Sequence, residues 1–227
     1  MRSSPRVAVF RPDDERLQQA VELLESLEAT PIADPMLAIE PTGRLPRADA
    51  EFVVFTSRTG VDAISDSTYT PGESRVCAIG ETTAEALRAE GIEVELVPET
   101  YTSAGLVDEL AEHVDGKRIE VARSDHGSDV LLAGLQDAGG YVHETVLYEL
   151  RRPDGAGESV SMAARGDLDG LLFSSSLTVA HFMAIAMENG QEDAVLKQLE
   201  RAVVGATVEI PTRKREFPVA GRNVRGT

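Results

Sequence analysis

The sequence predicts an α/β protein made of two similar parallel-sheet α/β domains joined by a two-stranded antiparallel link. Three observations carry this. Short β-branched runs alternate with amphipathic segments, one half of the chain repeats the other, and two long extended stretches interrupt the alternation at corresponding places.

The expected parallel strands are residues 7–10, 52–56, 76–79, 94–97, 119–122, 171–173 and 202–204. Between them, residues 14–27 place Leu17, Ala20, Val21, Leu24 and Leu27 on one helical face, and residues 82–90 form a helix that Gly91 ends. Two further helices fit residues 104–113, opening after Thr102 and Ser103, and residues 128–138, closing at Gly139 and Gly140. Val7, Val9, Arg11 and Pro41 recur 112 positions later as Ile119, Val121, Arg123 and Pro153. Val53 to Ser57 likewise matches Leu171 to Ser175, and Ile79-Gly80 matches Val204-Gly205. The extended stretches, residues 30–41 and 141–153, read as crossings between domains. The expected division is therefore residues 1–33 with 155–227 as one discontinuous domain, 42–140 as the other, and 34–41 and 141–154 as the linking strands.

Composition limits the chemistry. Of 227 residues, 39 are Asp or Glu and 22 are Lys or Arg, a net charge of -17 that argues against broad binding to nucleic acid phosphates. Lys occurs only at 117, 197 and 214, and Trp is absent. An acidic surface with scarce Lys fits a halophilic source, in which concentrated salt screens self-repulsion. No apolar run reaches the roughly 20 residues that span a bilayer, so a soluble, cytoplasmic, monomeric protein without a membrane partner is expected. The single cysteine, Cys77, lies in the apolar run Val76-Cys77-Ala78-Ile79 and reads as a packing residue. His113, His126, His143 and His181 lack metal-ligand spacing, and no GxGxxG, P-loop or GxSxG motif occurs; neither a metal nor a cofactor is expected.

What remains is a set of hydroxyls at strand ends: Thr56 and Ser57, Thr82 and Thr83 after Gly80, Thr102 and Ser103, and Ser174 to Ser176. Ligands bind beyond the carboxyl ends of parallel strands, where a hydroxyl and the free N–H groups of a helix's first turn suit an anionic oxygen. The same residues also serve as helix N-caps, and the sequence alone leaves both readings open.

The segments Phe55-Thr56-Ser57-Arg58-Thr59-Gly60-Val61, Ala78 to Leu87 with Gly91, Val97-Pro98-Glu99 with Tyr101 to Leu106, Val146-Leu147-Tyr148-Glu149 and Leu171 to Ser176 together resemble the uroporphyrinogen-III synthase family. The resemblance covers about residues 5–205. It implies a cofactor-free lyase that turns linear hydroxymethylbilane, an octacarboxylate, into uroporphyrinogen III with loss of water and inversion of ring D. It also suggests transient contact with hydroxymethylbilane synthase, which supplies that substrate. Carried over residue by residue, Tyr148 matches the family tyrosine proposed to hydrogen-bond the departing hydroxyl. Thr56, Ser57, Thr82, Thr83, Ser103, Ser175 and Ser176 become candidate carboxylate donors, and Arg58, Arg11 and Arg123 candidate partners of the acidic side arms. Residues 208–227 depart from the family pattern. Pro211, Pro218, the Arg213-Lys214-Arg215 run, Gly221 and Gly226 stand where a helix is expected. This departure keeps a second class in view, a synthase-like two-domain module that binds an anionic metabolite without turnover.

Overall fold

A computed structural model describes residues 4–202. The chain divides into two compact units. Unit 1 holds the described residues up to Ala38 and from Arg151 onward, and unit 2 is Ile39–Leu150.

Unit 1 is built on a parallel sheet in which β1 (Arg6–Phe10) lies between β2 (Thr30–Ala33) and β8 (Gly170–Phe173). Alternate side chains of β1 serve opposite faces. Val9, with Val7 beside it, packs on Leu17 and Leu24 of α1 (Glu15–Ser26), a helix capped by Asp14, which accepts from Leu17 N. Ala8 and Phe10 pack on α6 (Glu158–Arg165), α7 (Ser176–Glu188) and α8 (Glu192–Ala202) through Val160, Phe182 and Val195. Phe10 lies 4.5 Å from the Phe173 ring and 5.0 Å from Phe182, so one aromatic cluster anchors three elements. The helix α6 has no cap from its own side chains, and Asp34 supplies one from the segment after β2. This carboxylate, only 6% exposed, accepts from Gly157 N at 3.0 Å, from Ser159 N at 2.9 Å and from the Ser159 hydroxyl.

In unit 2 the strands are β3 (Ala38–Pro41), β4 (Phe52–Phe55), β5 (Arg75–Ala78), β6 (Arg118–Ser124) and β7 (Tyr141–Arg151), in spatial order β3-β7-β6-β4-β5. The four from β7 to β5 are mutually parallel. Beside β7, Thr42 N donates to Leu147 O at 2.9 Å, and the Thr42 hydroxyl to Val146 O at 2.7 Å. Residues 141–150 are thus part of the unit 2 sheet. All four residues of β4, Phe-Val-Val-Phe, are buried because both faces of the sheet are covered. Val53 and Phe55 meet α2 (Arg58–Asp62) and α3 (Glu81–Ala89) at Val61, Ala84 and Leu87. Phe52 and Val54 meet α4 (Ser103–Leu110) and α5 (Asp129–Asp137) at Leu106, Leu110, Leu131 and Leu135. Cys77 packs in this second layer, where burial pushes its thiol up to about 12. Glu120, fully buried within β6, accepts from the Thr145 hydroxyl and lies 2.7 Å from His143 Nδ1, both on β7. A carboxylate survives there because the neighbouring strand satisfies it.

The sequence repeat reappears in the hydrogen bonds. Phe10 ends β1, and Ala122, 112 positions later, is the last residue of β6 paired with β4. Ser174 N donates to Phe10 O at 3.3 Å, and Thr56 N to Ala122 O at 3.2 Å. Two expected strands differ. Residues 94–97 contribute only an isolated bridge, Leu96 to Cys77, because Pro98 follows and the segment lies at the sheet's edge. Ala202 ends α8 instead of opening a strand, and residues 203–204, like the tail expected to be irregular, lie outside the described residues.

Candidate active site

The carboxyl ends of β4, β6 and β7 surround a concavity of about 150 Å³ lined by Thr56, Ser57, Ile79, Ser103, Arg123, Ser124, Gly127, Ser128, Leu131 and Tyr148. Five of the sequence-derived candidates, Thr56, Ser57, Ser103, Arg123 and Tyr148, therefore come together from distant points of the chain.

Tyr148 is placed by an irregularity. Along β6 and β7 the register runs Arg123 opposite Val146, then Ser124 opposite Tyr148, so Leu147 is an extra residue. Such a bulge re-aims a side chain at a strand end. The ring of Tyr148, 7% exposed, reaches past β6 and its hydroxyl lies 3.0 Å from Ser57 Oγ. Ser57 is at the same time the N-cap of α2, its Oγ accepting from Gly60 N at 3.0 Å. Gly60 eases the approach, since a Cβ there would stand 3.3 Å from both Leu147 Cδ1 and Ser57 Oγ. A serine oxygen that accepts one N–H keeps one O–H and one lone pair. Whichever way the Ser57–Tyr148 bond runs, one of the two hydroxyls keeps a hydrogen to give.

Arg123 is the polar prop of the site. Its side chain, 6% exposed, gives Nε to Glu144 Oε1 at 2.5 Å, Nη1 to Ser128 O at 2.7 Å and Nη2 to Asp129 Oδ1 at 3.4 Å. These bonds bind the 124–128 loop to β7. Gly127 is required beside it, because a Cβ would meet Arg123 Cδ at 2.6 Å. Asp125 extends the same bracing, its Oδ1 accepting from Leu150 N at 2.9 Å. Thr56 lies close to the strand end, its Oγ1 3.5 Å from Ala122 O. Ser103 opens α4 behind the cap Thr102, which accepts from Gly105 N at 3.1 Å.

The other candidates stand apart from this concavity. Arg58 is exposed and pairs with Asp62 at 3.6 Å. On α3, whose cap residue Gly80 offers no side chain, Thr82 is exposed and Thr83 buried. In unit 1, Ser175 caps α7 in a reciprocal capping box with Thr178, and Ser176 is exposed in the first turn. Arg11 lies 4.0 Å from Asp14, and its Nε is buried with no hydrogen-bond acceptor among the described residues. Sequence reasoning missed Ser124 and Ser128. Ser124 follows Arg123 at a strand end, the signal used for the other hydroxyls, whereas Ser128 carries only the signature of a helix start.

Comparison with known proteins matches the chain to a family. The family model Uroporphyrinogen-III synthase HemD matches residues 18–221. A Methanothermobacter thermautotrophicus protein named "Putative uroporphyrinogen-III synthase" is 30% identical over 226 residues, covering 92% of this chain and 88% of its own. The uroporphyrinogen-III synthase of Synechococcus elongatus is 26% identical over 150 residues, covering 63% of this chain and 57% of its own. The fold resembles the crystal structure of a mutant uroporphyrinogen III synthase from the extremely thermophilic bacterium Thermus thermophilus, with a TM-score of 0.63 at 19% identity over 88% of this chain and 83% of that one. With a match that spans nearly the whole sequence, the chain belongs to the uroporphyrinogen-III synthase family.

Proposed function

We propose that the protein is a uroporphyrinogen-III synthase, a cofactor-free lyase that closes hydroxymethylbilane with inversion of ring D and loss of water, in the cytoplasm, as a monomer and in concentrated salt. The observation that carries the chemistry is the Tyr148–Ser57 hydroxyl pair with its spare hydrogen at the edge of the concavity. Tyr148 gives its proton to the terminal hydroxyl of the substrate, which leaves as water, and Ser57 steadies the phenolate by hydrogen bonding. The resulting azafulvene carbon bonds to the substituted carbon of ring D. The spiro intermediate then fragments and recloses at the other α-carbon, and the proton lost as that pyrrole regains aromaticity returns to Tyr148. Protons balance over the cycle, and water is the only by-product.

The remaining work is positioning: a chain of four pyrroles must be kept from closing directly, which calls for many fixed donors instead of a strong nucleophile. The hydroxyls of Thr56, Ser103, Ser175 and Ser176 serve here as carboxylate donors, with Thr82, Thr83, Arg58, Arg11 and Arg123 as secondary anchors. The net charge of -17 repels an octa-anion, and concentrated salt reduces that repulsion. The test is a coupled assay in molar salt, with hydroxymethylbilane supplied by its synthase and the uroporphyrin isomers separated after oxidation. Type III isomer in excess of the no-protein control is expected. Type I alone, from folded protein, contradicts the proposal and favours the binding module.

A further inference from the structure

At the amino ends of β6 and β7, the opposite end of the unit 2 sheet from the strand-end concavity, lies a larger cavity of about 760 Å³. It falls within the roughly 300–1,000 Å³ that holds a whole small ligand. Its walls come from the segment before β4 and from the first residues of β6 and β7, all within unit 2, and none of them belongs to the proposed synthase site.

Three side chains there are available to a ligand. His143 Nδ1 lies 2.7 Å from Glu120 Oε2; Glu120 is fully buried, while the His143 side chain is 43% exposed. A carboxylate only accepts, so Nδ1 carries the hydrogen, and Nε2 of the neutral ring is left as an acceptor in a fixed orientation. Tyr141 stands two residues earlier on the same face of β7, about 7 Å along the strand, and is 70% exposed. An exposed aromatic ring of this kind is a platform on which another ring can stack. Arg47 is an exposed cation that pairs with no carboxylate among the described residues, in a chain of net charge -17. The acids of the cavity are already matched. Arg118 holds Glu51 at 3.2 Å and Asp49 at 3.6 Å, and Glu120 is held by His143 and Thr145.

This combination narrows the ligand. A simple anion would engage Arg47 alone and fill little of the cavity, and a neutral ring would leave the guanidinium unmatched. We propose that the cavity binds a nucleoside monophosphate: the base stacks on Tyr141, an amino group of the base donates to His143 Nε2, and the phosphate takes the planar fork of Arg47. The site goes beyond the synthase reading and does not rest on it.

The experiment titrates the full chain with AMP by ¹H–¹⁵N NMR at constant ionic strength, with adenosine and inorganic phosphate as the two half-ligands. The amides of 117–120 and 140–143 are expected to shift with AMP, which binds at least tenfold tighter than either half. Arg47→Ala should lower the affinity for AMP at least fivefold and leave that for adenosine unchanged, whereas Tyr141→Ala should weaken both at least fivefold. Both positions are exposed, and unchanged spectral dispersion checks the fold of each variant. AMP that leaves these amides unmoved, that shifts only those around the strand-end concavity, or that binds both variants as tightly as wild type overturns the site.

Discussion

Units 1 and 2 share a wiring scheme at their strand ends but use it differently. Ser175 and Ser57 both cap the helix that follows a strand, accepting from Thr178 N at 3.3 Å and from Gly60 N at 3.0 Å. Among the described residues of unit 1 the serine meets no second side chain beyond Thr178, whose hydroxyl accepts from Ser175 N at 3.3 Å, and the Ser174 hydroxyl donates to Phe10 O at 2.9 Å. In unit 2 the serine meets Tyr148, and a hydrogen is left for a ligand. The arginines diverge in the same way. Val121 of β6 lies opposite Glu144, which takes Arg123 Nε, whereas Val9 of β1 lies opposite Ala33. Ala33 offers no carboxylate, and Arg11 Nε is left without an acceptor among the described residues. The backbone wiring recurs in both units, and single positions on the neighbouring strand set what each serine and each arginine meets.

The comparison can be broken by mutation, and the largest effect is expected at Asp34. Its replacement by Ala strands three donors in unit 1, at a cost of roughly 3 kcal/mol read by urea denaturation. The variant's kcat at temperatures where it stays folded should nevertheless match wild type, because Asp34 holds structure only. Next come the two caps. Ser57→Ala and Ser175→Ala should each lose about 1 kcal/mol of stability, the usual worth of an N-cap. Only Ser57→Ala should also slow turnover, by about tenfold. Equal kinetic losses in both would erase the distinction between the units.

A further effect, confined to alkaline pH, concerns Cys77, whose thiol is raised by burial from an ordinary 9.0 to about 12. Below about pH 9 it is protonated in both folded and unfolded chains and contributes no pH dependence. Between about 9 and 12 the unfolded thiol ionises while the folded one does not, so stability falls as pH rises, by about 1.4 kcal/mol per unit. The stability difference between wild type and Cys77→Ala, measured by urea denaturation at about pH 8 and about pH 10, should shrink at the higher pH.

Much of this was readable from residue pattern. The Phe-Val-Val-Phe run marks a strand, and the recurrence of hydroxyls after such runs marks the carboxyl end of the sheet, where the proposed site lies. The helix α7 gave no such sign, because Leu177, Val179, Phe182, Met183, Ile185 and Met187 surround it without a one-sided stripe. Long-range partnerships were equally hidden. The Arg123–Glu144 pair, the Tyr148–Ser57 contact across 91 positions and the satisfaction of Glu120 by β7 depend on strand register, which periodicity does not supply. The bulge at Leu147 is the clearest case, since one extra residue decides whether Tyr148 faces Ser124.

The most direct test is kcat for type III isomer formation by Tyr148→Phe beside wild type, at saturating hydroxymethylbilane, with isomer ratios recorded. Removing one hydroxyl while keeping the ring should lower kcat about 100-fold and leave KM within threefold, the mark of a proton donor acting in the transition state. A variant with wild-type kcat would contradict the assignment of the Tyr148–Ser57 pair as the catalytic centre.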